Sequence, residues 1–341
     1  MKKGIGIVVA GVLLLLCGIT QAQGRYGNVY EFMELPTTAR QTAIGGTHAV
    51  MGADESGFAF HNPAILCDTL SKSVALNMTP IAGGILHGSV SYAQHVDRIG
   101  TLSAGVQYIN YGTFDWTTRD GEVLGTFKAQ EVALYMSVAR RMTPGWTLAV
   151  TVKPIFSKFE QYNSVGIAMD MGAIYRGKSK RFTAGIVLRN VGGQLKTYHN
   201  DSGHESLDTD LRIGMSYKPE HAPFRLTVTM KDLCHWDLST NTDKDIHWGD
   251  NIMRHVVLGA EFMPIRNFFI AMGYDQRKRR ELRDNVGAAG ISWGFGLRIF
   301  RIDIAYACLI VFISSIIVFV QEIIRHHAEV HACTTAQEKH L

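Results

Sequence analysis

From residue 71 onward apolar and polar side chains alternate with a period of two, the signature of strands whose two faces meet different surroundings. Leu102, Ala104, Val106 and Tyr108 alternate with Thr101, Ser103, Gly105 and Gln107, and Leu148, Val150 and Val152 with Thr147, Thr151 and Lys153. The same pattern returns in Leu211, Ile213, Met215 and Tyr217, in Leu226, Val228 and Met230, and in Ile291, Trp293, Phe295 and Leu297. It predicts strands near 71–79, 84–95, 101–110, 128–140, 146–157, 162–176, 181–191, 207–218, 223–232, 252–263, 267–275, 287–299 and 301–307. The fold class is all-β.

Alternation alone is equally consistent with a water-soluble sandwich, whose apolar face lies inside. The connections separate the two. HVDRIG, RMTPG, RGKSK, KPEHAP and MPIR are short and turn-like, whereas YGTFDWTTRDGEVLG, GGQLKTYHNDSGHES, LCHWDLSTNTDKDIHWGDN and DQRKRRELRDN are longer and polar. Short turns on one side and long loops on the other point to a transmembrane antiparallel β-barrel with periplasmic turns and extracellular loops. A closed barrel leaves no backbone polar group unpaired in hydrocarbon. Trp146 beside a short turn and Tyr111 beside a long loop fit two interfacial aromatic girdles, and ordinary turn packing explains either equally well.

Ahead of the strands, Lys2 and Lys3, an apolar run from Ile5 to Leu16 and Thr20-Gln21-Ala22 form a cleavable signal over residues 1–22, so the mature chain begins at Gln23. Lipoprotein processing at Cys17 is disfavoured by the bulky Leu16 before it. Residues 23–66 are mixed in polarity and interrupted by Gly45-Gly46 and Asn62-Pro63, too irregular for a strand. They read as an N-terminal plug folded inside the barrel of 67–307.

Composition narrows the partners. With 34 Gly, 8 Pro and a formal charge of +4, neither a collagen-like nor a nucleic-acid-binding protein is indicated; outer-membrane lipid and lipopolysaccharide are the expected surroundings. Cys67, Cys234, Cys308 and Cys333 are far apart without C-x-x-C spacing, which favours isolated cysteines over a disulfide framework or a zinc site. His326, His327 and His331 lack the zincin Glu and read as a polar tail. His235, His247 and His255 with Asp232, Asp245 and Asp250 form no spacing that demands catalysis, and loop solvation accounts for them. No G-x-S-x-G elbow, P-loop or dinucleotide fingerprint is present. Gly294 and Gly296 read as small inward residues in a strand. Catalytic residues, metal ligands and cofactors are therefore none. Candidate partner contacts are Trp116, Trp236 and Trp248 in the long loops, with Arg277, Arg279 and Arg280 of a basic run that reads as an exposed solvated loop or a lipopolysaccharide contact.

YEFMELPTTARQTAIGG and FAFHNPAIL, followed in order by GVQYINYGTF, MKDLCHWDL, DNIMRHVVLGAEFMPIRNFF and GISWGFGLRIF, resemble the PorQ family of the type IX secretion system, within the wider FadL-like group. The resemblance runs from about residue 28 to 306. It implies an outer-membrane barrel of about 14 strands with its N-terminal segment inside. It also implies a non-enzymatic place in a cell-surface attachment complex of a Bacteroidetes-type bacterium, holding PorZ beside the PorU sortase and the PorV shuttle. The FadL-like relationship leaves open a transporter of hydrophobic small molecules, for which Gly45-Gly46 is a potential plug hinge. A barrel hydrolase lacks any nucleophile and base in the sequence.

The end of the chain departs from that family. Residues 308–341 are apolar and then His-rich rather than alternating, and Ile304 to Ile324 has the length and hydropathy of a membrane helix of about 20 residues. Leu309, Val311 and Ile313 are the alternative, a closing strand. A frameshifted tail is a third reading.

Overall fold

A computed structural model of the chain describes residues 29–309 apart from 52–54, 119–121, 199–204, 206, 237, 239–247, 282–288, 300 and 301. Residues 1–28, with the expected signal over 1–22, and residues 310–341, with Val311, Ile313 and the histidine tail, lie outside the described residues.

Thirteen strands form one sheet in sequence order. They are β1 (Ser73–Ile81), β2 (Ile85–Val96), β3 (Gly100–Thr117), β4 (Val123–Thr143), β5 (Trp146–Phe159), β6 (Tyr162–Arg176) and β7 (Phe182–Lys196), then β8 (Asp210–Tyr217), β9 (Phe224–Met230), β10 (Val256–Ile265), β11 (Phe268–Asp275), β12 (Ile291–Ile299) and β13 (Ile302–Leu309). Each pairs antiparallel with the next, as Ser73 with Ala93 at one end of the ladder and Ser292 with Leu309 at the other. Among the described residues no pairing joins β1 to β13.

The two faces are inverted relative to a soluble sandwich. Thr101, Gln107, Thr151, Lys153, Arg212 and Ser292 are buried, while Val150, Ile213, Met215, Leu226, Met272, Trp293 and Phe295 are exposed. The polar face thus points inward and the apolar face outward, which removes the sandwich reading because water cannot solvate the outer face favourably.

Several expectations are corrected. Residues 111–117 and 123–125 are strand rather than loop: β3 extends through 117 and β4 begins at 123, and these parts pair as a two-stranded hairpin beyond the neighbouring strands. Long connections remain after β7, β9 and β11 only, since β1–β2 and β5–β6 also turn tightly. Tyr111 is buried, donating to Glu131 Oε2 at 2.6 Å, so it is no girdle residue. Trp146 packs on Tyr175 with centroids 5.2 Å apart beside the β4–β5 turn. Ile304–Leu309 belongs to β13 rather than to a helix, and no helix among the described residues is long and apolar enough to cross a membrane. Cys234 is disulfide-bonded, which corrects the expectation of isolated cysteines; Cys67 and Cys308 form no disulfide.

Residues 29–70 lie against the inward face. They fold as 3-10 turns at Glu31–Glu34, Ser56–Phe60, Pro63–Ile65 and Asp68–Leu70 and a short helix α1 (Ala39–Ala43). Thr38 caps α1, its side chain accepting from Gln41 N at 3.1 Å. Asn62 holds the next corner: its Oδ1 accepts from Ala64 N at 3.0 Å, its Nδ2 donates to Ala49 O at 2.6 Å, and Pro63 opens the following turn. The segment reaches all the way around, from β1 and β2 through β5 and β6 to β11, β12 and β13, so the sheet curls about it.

Glycines on the inward face make this closeness possible. A Cβ on Gly259 would lie 2.8 Å from Ile44 Cβ, on Gly273 2.0 Å from the Ile44 carbonyl carbon, on Gly185 2.5 Å from Val50, and on Gly166 2.6 Å from the Tyr30 ring. Gly294, expected to be a small inward residue, meets Ala43 Cβ at 2.8 Å, and Gly296 meets the Phe269 ring at 2.2 Å.

Candidate functional site

The chemistry of the interior is concentrated where the N-terminal segment meets the strands. The first 3-10 turn ends at Glu34, whose carboxylate points at β7 and β8. Arg189 Nη1 donates to both its oxygens, at 2.7 and 2.8 Å, and Arg189 Nη2 donates to Met33 O at 3.0 Å. Arg212 donates to the same carboxylate and, through Nε, to Asp210. Bidentate guanidinium contacts of this kind fix orientation as well as charge.

A bulge in β7 aims these groups. The register with β6 shifts between Met169 and Met171, and Asn190 takes φ 57°, a left-handed conformation that Asn tolerates. Consecutive residues Arg189 and Asn190 therefore both face inward. Asn190 Nδ2 donates to Glu34 Oε1 at 2.9 Å, its Oδ1 accepts from Lys153 Nζ at 2.8 Å, and its backbone N donates to Asp170 Oδ1 at 2.8 Å. Lys153 Nζ lies 2.5 Å from Asp170 Oδ2, completing a chain of alternating charges. Burial pushes the Glu34 carboxyl up, but Arg189 and Arg212, helped by His61 and Lys153, outweigh it and hold Glu34 well below the usual carboxylate range.

A second seat lies on β9 and β10. Arg40 of α1 sits 3.0 Å from Glu261 Oε1 and 3.2 Å from Glu55 Oε1, with its guanidinium 3.8 Å from the Phe269 ring centroid. Arg225 Nη1 donates to Glu261 Oε2 at 3.1 Å. In both seats the buried carboxylates and cations each find an opposite charge, as their desolvation requires.

Gly45 and Gly46 make the turn out of α1 at φ 119° and 88°, the left-handed region that glycine alone enters freely. Gly45 O accepts from Lys278 Nζ at 3.3 Å. Beyond them His48 Nε2 lies 2.7 Å from Ile44 O and Nδ1 3.0 Å from Thr229 Oγ1, while Ala49 N donates to that same hydroxyl. This arrangement suits a neutral ring with the proton on Nε2, and burial lowers the His48 pKa to about 4. At the long-loop end, burial raises Asp208 to about 8, with Glu34, Asp232, Asp210 and Glu31 adding repulsion.

The outer-side candidates fall in two places. Trp116 is exposed on the projecting part of β3. Trp236 and the exposed Trp248 flank a short helix α2 (Trp248–Arg254), and the basic run lies on α3 (Gln276–Glu281), which packs on α2. The run is not a loop of solvated charges: Arg277 donates to Asp232 at 2.9 Å, Arg280 to Asp250 at 2.8 Å, and Lys278 lies 3.6 Å from Asp275. Arg279 shares that helix, with its backbone against Gly290. His255 is likewise no solvated loop residue; it is buried, with Nδ1 2.7 Å from Lys231 O and its ring stacked 5.0 Å from Trp236. His235 lies 3.8 Å from Asp208, while His247 and Asp245 are outside the described residues. Among the described residues no group of three or more His, Cys, Asp and Glu could hold a metal ion.

Glu34, Arg40, Arg189, Asn190 and Glu261 carry the site but stand out weakly in the sequence. Two signals point to them: charged residues at inward positions of β5, β8 and β10, which demand buried partners, and the consecutive polar pair Arg189-Asn190, which breaks the alternation.

No protein-family model and no curated protein sequence matches the chain. Solved structures do resemble it. The toluene transporter TodX of Pseudomonas putida is similar with TM-score 0.52 and 11% identity, over 80% of this chain and 91% of that one. A TodX deltaS2S3 mutant, a monoaromatic hydrocarbon channel, gives TM-score 0.52 and 10% identity over 80% of this chain and 92% of that one. At this identity the likeness establishes the fold, that of the FadL-like expectation.

Proposed function

We propose that the sheet closes into an outer-membrane β-barrel, that residues 29–66 plug its lumen, and that the protein admits small hydrophobic molecules across the outer membrane. The likeness to TodX over most of both chains carries this reading. The outward apolar face supplies the lipid contact, and the strands lead from short periplasmic turns to outer loops. The seats of Glu34 and Arg40 hold the plug, with the Gly45-Gly46 turn at the seam where it can bend. The test is toluene uptake by cells with and without the protein. Faster uptake with the protein is expected; equal rates overturn the proposal.

A second reading is favoured by the ordered segments that resemble the PorQ family, together with the exposed Trp116, Trp236 and Trp248 on the loop side. The barrel is then a scaffold of the type IX attachment complex, its plug fixed, holding PorZ at the surface with PorU and PorV. Deleting the gene is expected to release PorZ into the medium, and PorZ remaining on the cells excludes this role. Neither reading requires a catalytic residue or a cofactor.

A further inference from the structure

The short-turn rim of the sheet carries a one-sided charge. Arg98 lies in the β2–β3 turn, Arg140 at the end of β4, Lys178 and Lys180 between β6 and β7, Lys218 after β8 and Arg266 between β10 and β11. None of these six has an acidic partner within ion-pair distance among the described residues. Three acidic groups of the same rim are otherwise engaged, Asp68 with Arg141 at 3.6 Å, Glu220 with Arg181, and Asp303 with Arg298 at 2.5 Å, which leaves the exposed Asp97, 4.0 Å from His95, as the one acidic group against the six cations among the described residues. The opposite end is mixed, with Asp115 and Glu122 exposed among Lys128 and Lys158.

Five of the six unpaired cations, all but Lys178, lie within two residues of an exposed apolar or aromatic side chain. Ile99 follows Arg98, Met142 follows the Arg140-Arg141 pair, Phe182 follows Lys180, Tyr217 precedes Lys218 and Ile265 precedes Arg266, all of them exposed. Apolar and aromatic side chains at this position sit at the boundary between acyl chains and headgroups. Cations one step beyond that boundary lie at the depth of lipid phosphates, which long Lys and Arg side chains reach readily.

We infer that this rim is a basic collar that binds the phosphate groups of anionic phospholipids in the leaflet on the short-turn side. The inference rests on the membrane-barrel reading proposed above. It identifies the collar's partner by charge complementarity and by continuity with the apolar lip, and it requires no enclosed pocket, because headgroups arrive already concentrated at the surface.

The experiment places the purified full chain in nanodiscs of mixed phosphatidylcholine and phosphatidylglycerol and reads the lipids retained by native mass spectrometry. Phosphatidylglycerol is expected to be enriched, and the variant Arg98→Gln/Arg140→Gln/Lys178→Gln/Lys180→Gln to lose most of that enrichment. Insertion without enrichment, or enrichment untouched by the variant, overturns the collar while leaving the barrel reading intact; failure to insert overturns both. The unaltered chain supplies a measurement independent of the variant's folding. Raising salt from about 50 mM to about 500 mM should abolish the enrichment by screening, and a salt-insensitive enrichment overturns the inference. Inorganic phosphate that displaces the lipid at equal concentration would show a general phosphate surface instead, also against it.

Discussion

A methyl group at Gly273 would lie 2.0 Å from the Ile44 carbonyl carbon, backbone that no rotamer change can move aside. Gly273→Ala is therefore expected to push α1 and its turn off β11, costing about 1–3 kcal/mol of overpacking strain. Hydrogen exchange at Ala43–Gly46 should quicken, whereas Gly125→Ala, whose Cβ meets nothing within 4 Å, should leave it unchanged. Glu34 poses the complementary problem of charge. Glu34→Ala would leave Arg189 and Arg212 buried without the carboxylate they share, a loss of about 3–5 kcal/mol. Limited proteolysis is the measurement: cleavage within residues 29–66 should appear in this variant at protease concentrations that spare the parent chain. The sequence shows Glu34 as one more acidic residue in an irregular stretch. Its partners are more than 150 positions away, as the Glu34–Arg189 bond spans 155 residues, so local pattern carries no trace of it.

At the scale of elements, the N-terminal segment is an irregular chain whose stability comes from the strands around it rather than from its own helices, since α1 is only five residues long. Different parts of it answer to pH differently. His48 has an ordinary value of 6.5 and a folded value of about 4. Its contribution is complete above 6.5 and is lost as pH falls from there toward 4, because the unfolded segment then binds a proton that the buried ring refuses. Glu34, held below the carboxylate range, contributes above its ordinary value and weakens only as pH falls below it. Asp208 is raised, so acidification relieves the long-loop end. Amide exchange around Ile44–Val50 should consequently accelerate between pH 6.5 and 4 while the Val29–Phe32 end holds. If both ends lose protection together, the His48 contact does not govern the turn. The hairpin of β3 and β4 illustrates the reverse limit of sequence reading. YGTFDWTTRDGEVLG has the polarity of a loop, yet Thr113–Lys128 and Asp115–Thr126 pair across it, because ladder hydrogen bonds do not depend on which side chains face water.

For the whole molecule, the inverted sheet and the filled interior make one system: an apolar exterior that needs lipid and a charged interior that needs the segment. On the barrel reading proposed above, removing residues 29–66 should leave Lys153, Arg189, Arg212 and Glu261 lining an open, hydrated lumen. In planar bilayers the deletion is expected to conduct ions at a level that the full chain does not reach; equal conductance would mean that the segment does not obstruct the path. Thirteen strands were legible, with β3, β4 and β7 read five to seven residues short at their long-loop ends, because a period of two repeats wherever one face is apolar and the other polar, whatever the neighbours. The sequence by itself also determined that an irregular segment precedes them and must find its support elsewhere. Which face points inward does not follow from alternation, which is symmetric between a sandwich and its inverse; connection lengths pointed to the barrel, and the matter was decided by tertiary structure because the choice depends on what each face meets. So too was the seat of the segment: burying Arg189, Arg212 and Lys153 is tolerable only when Glu34, Asp170 and Asn190 arrive within hydrogen-bonding distance, and that is a property of the closed ensemble of contacts, not of any stretch of chain.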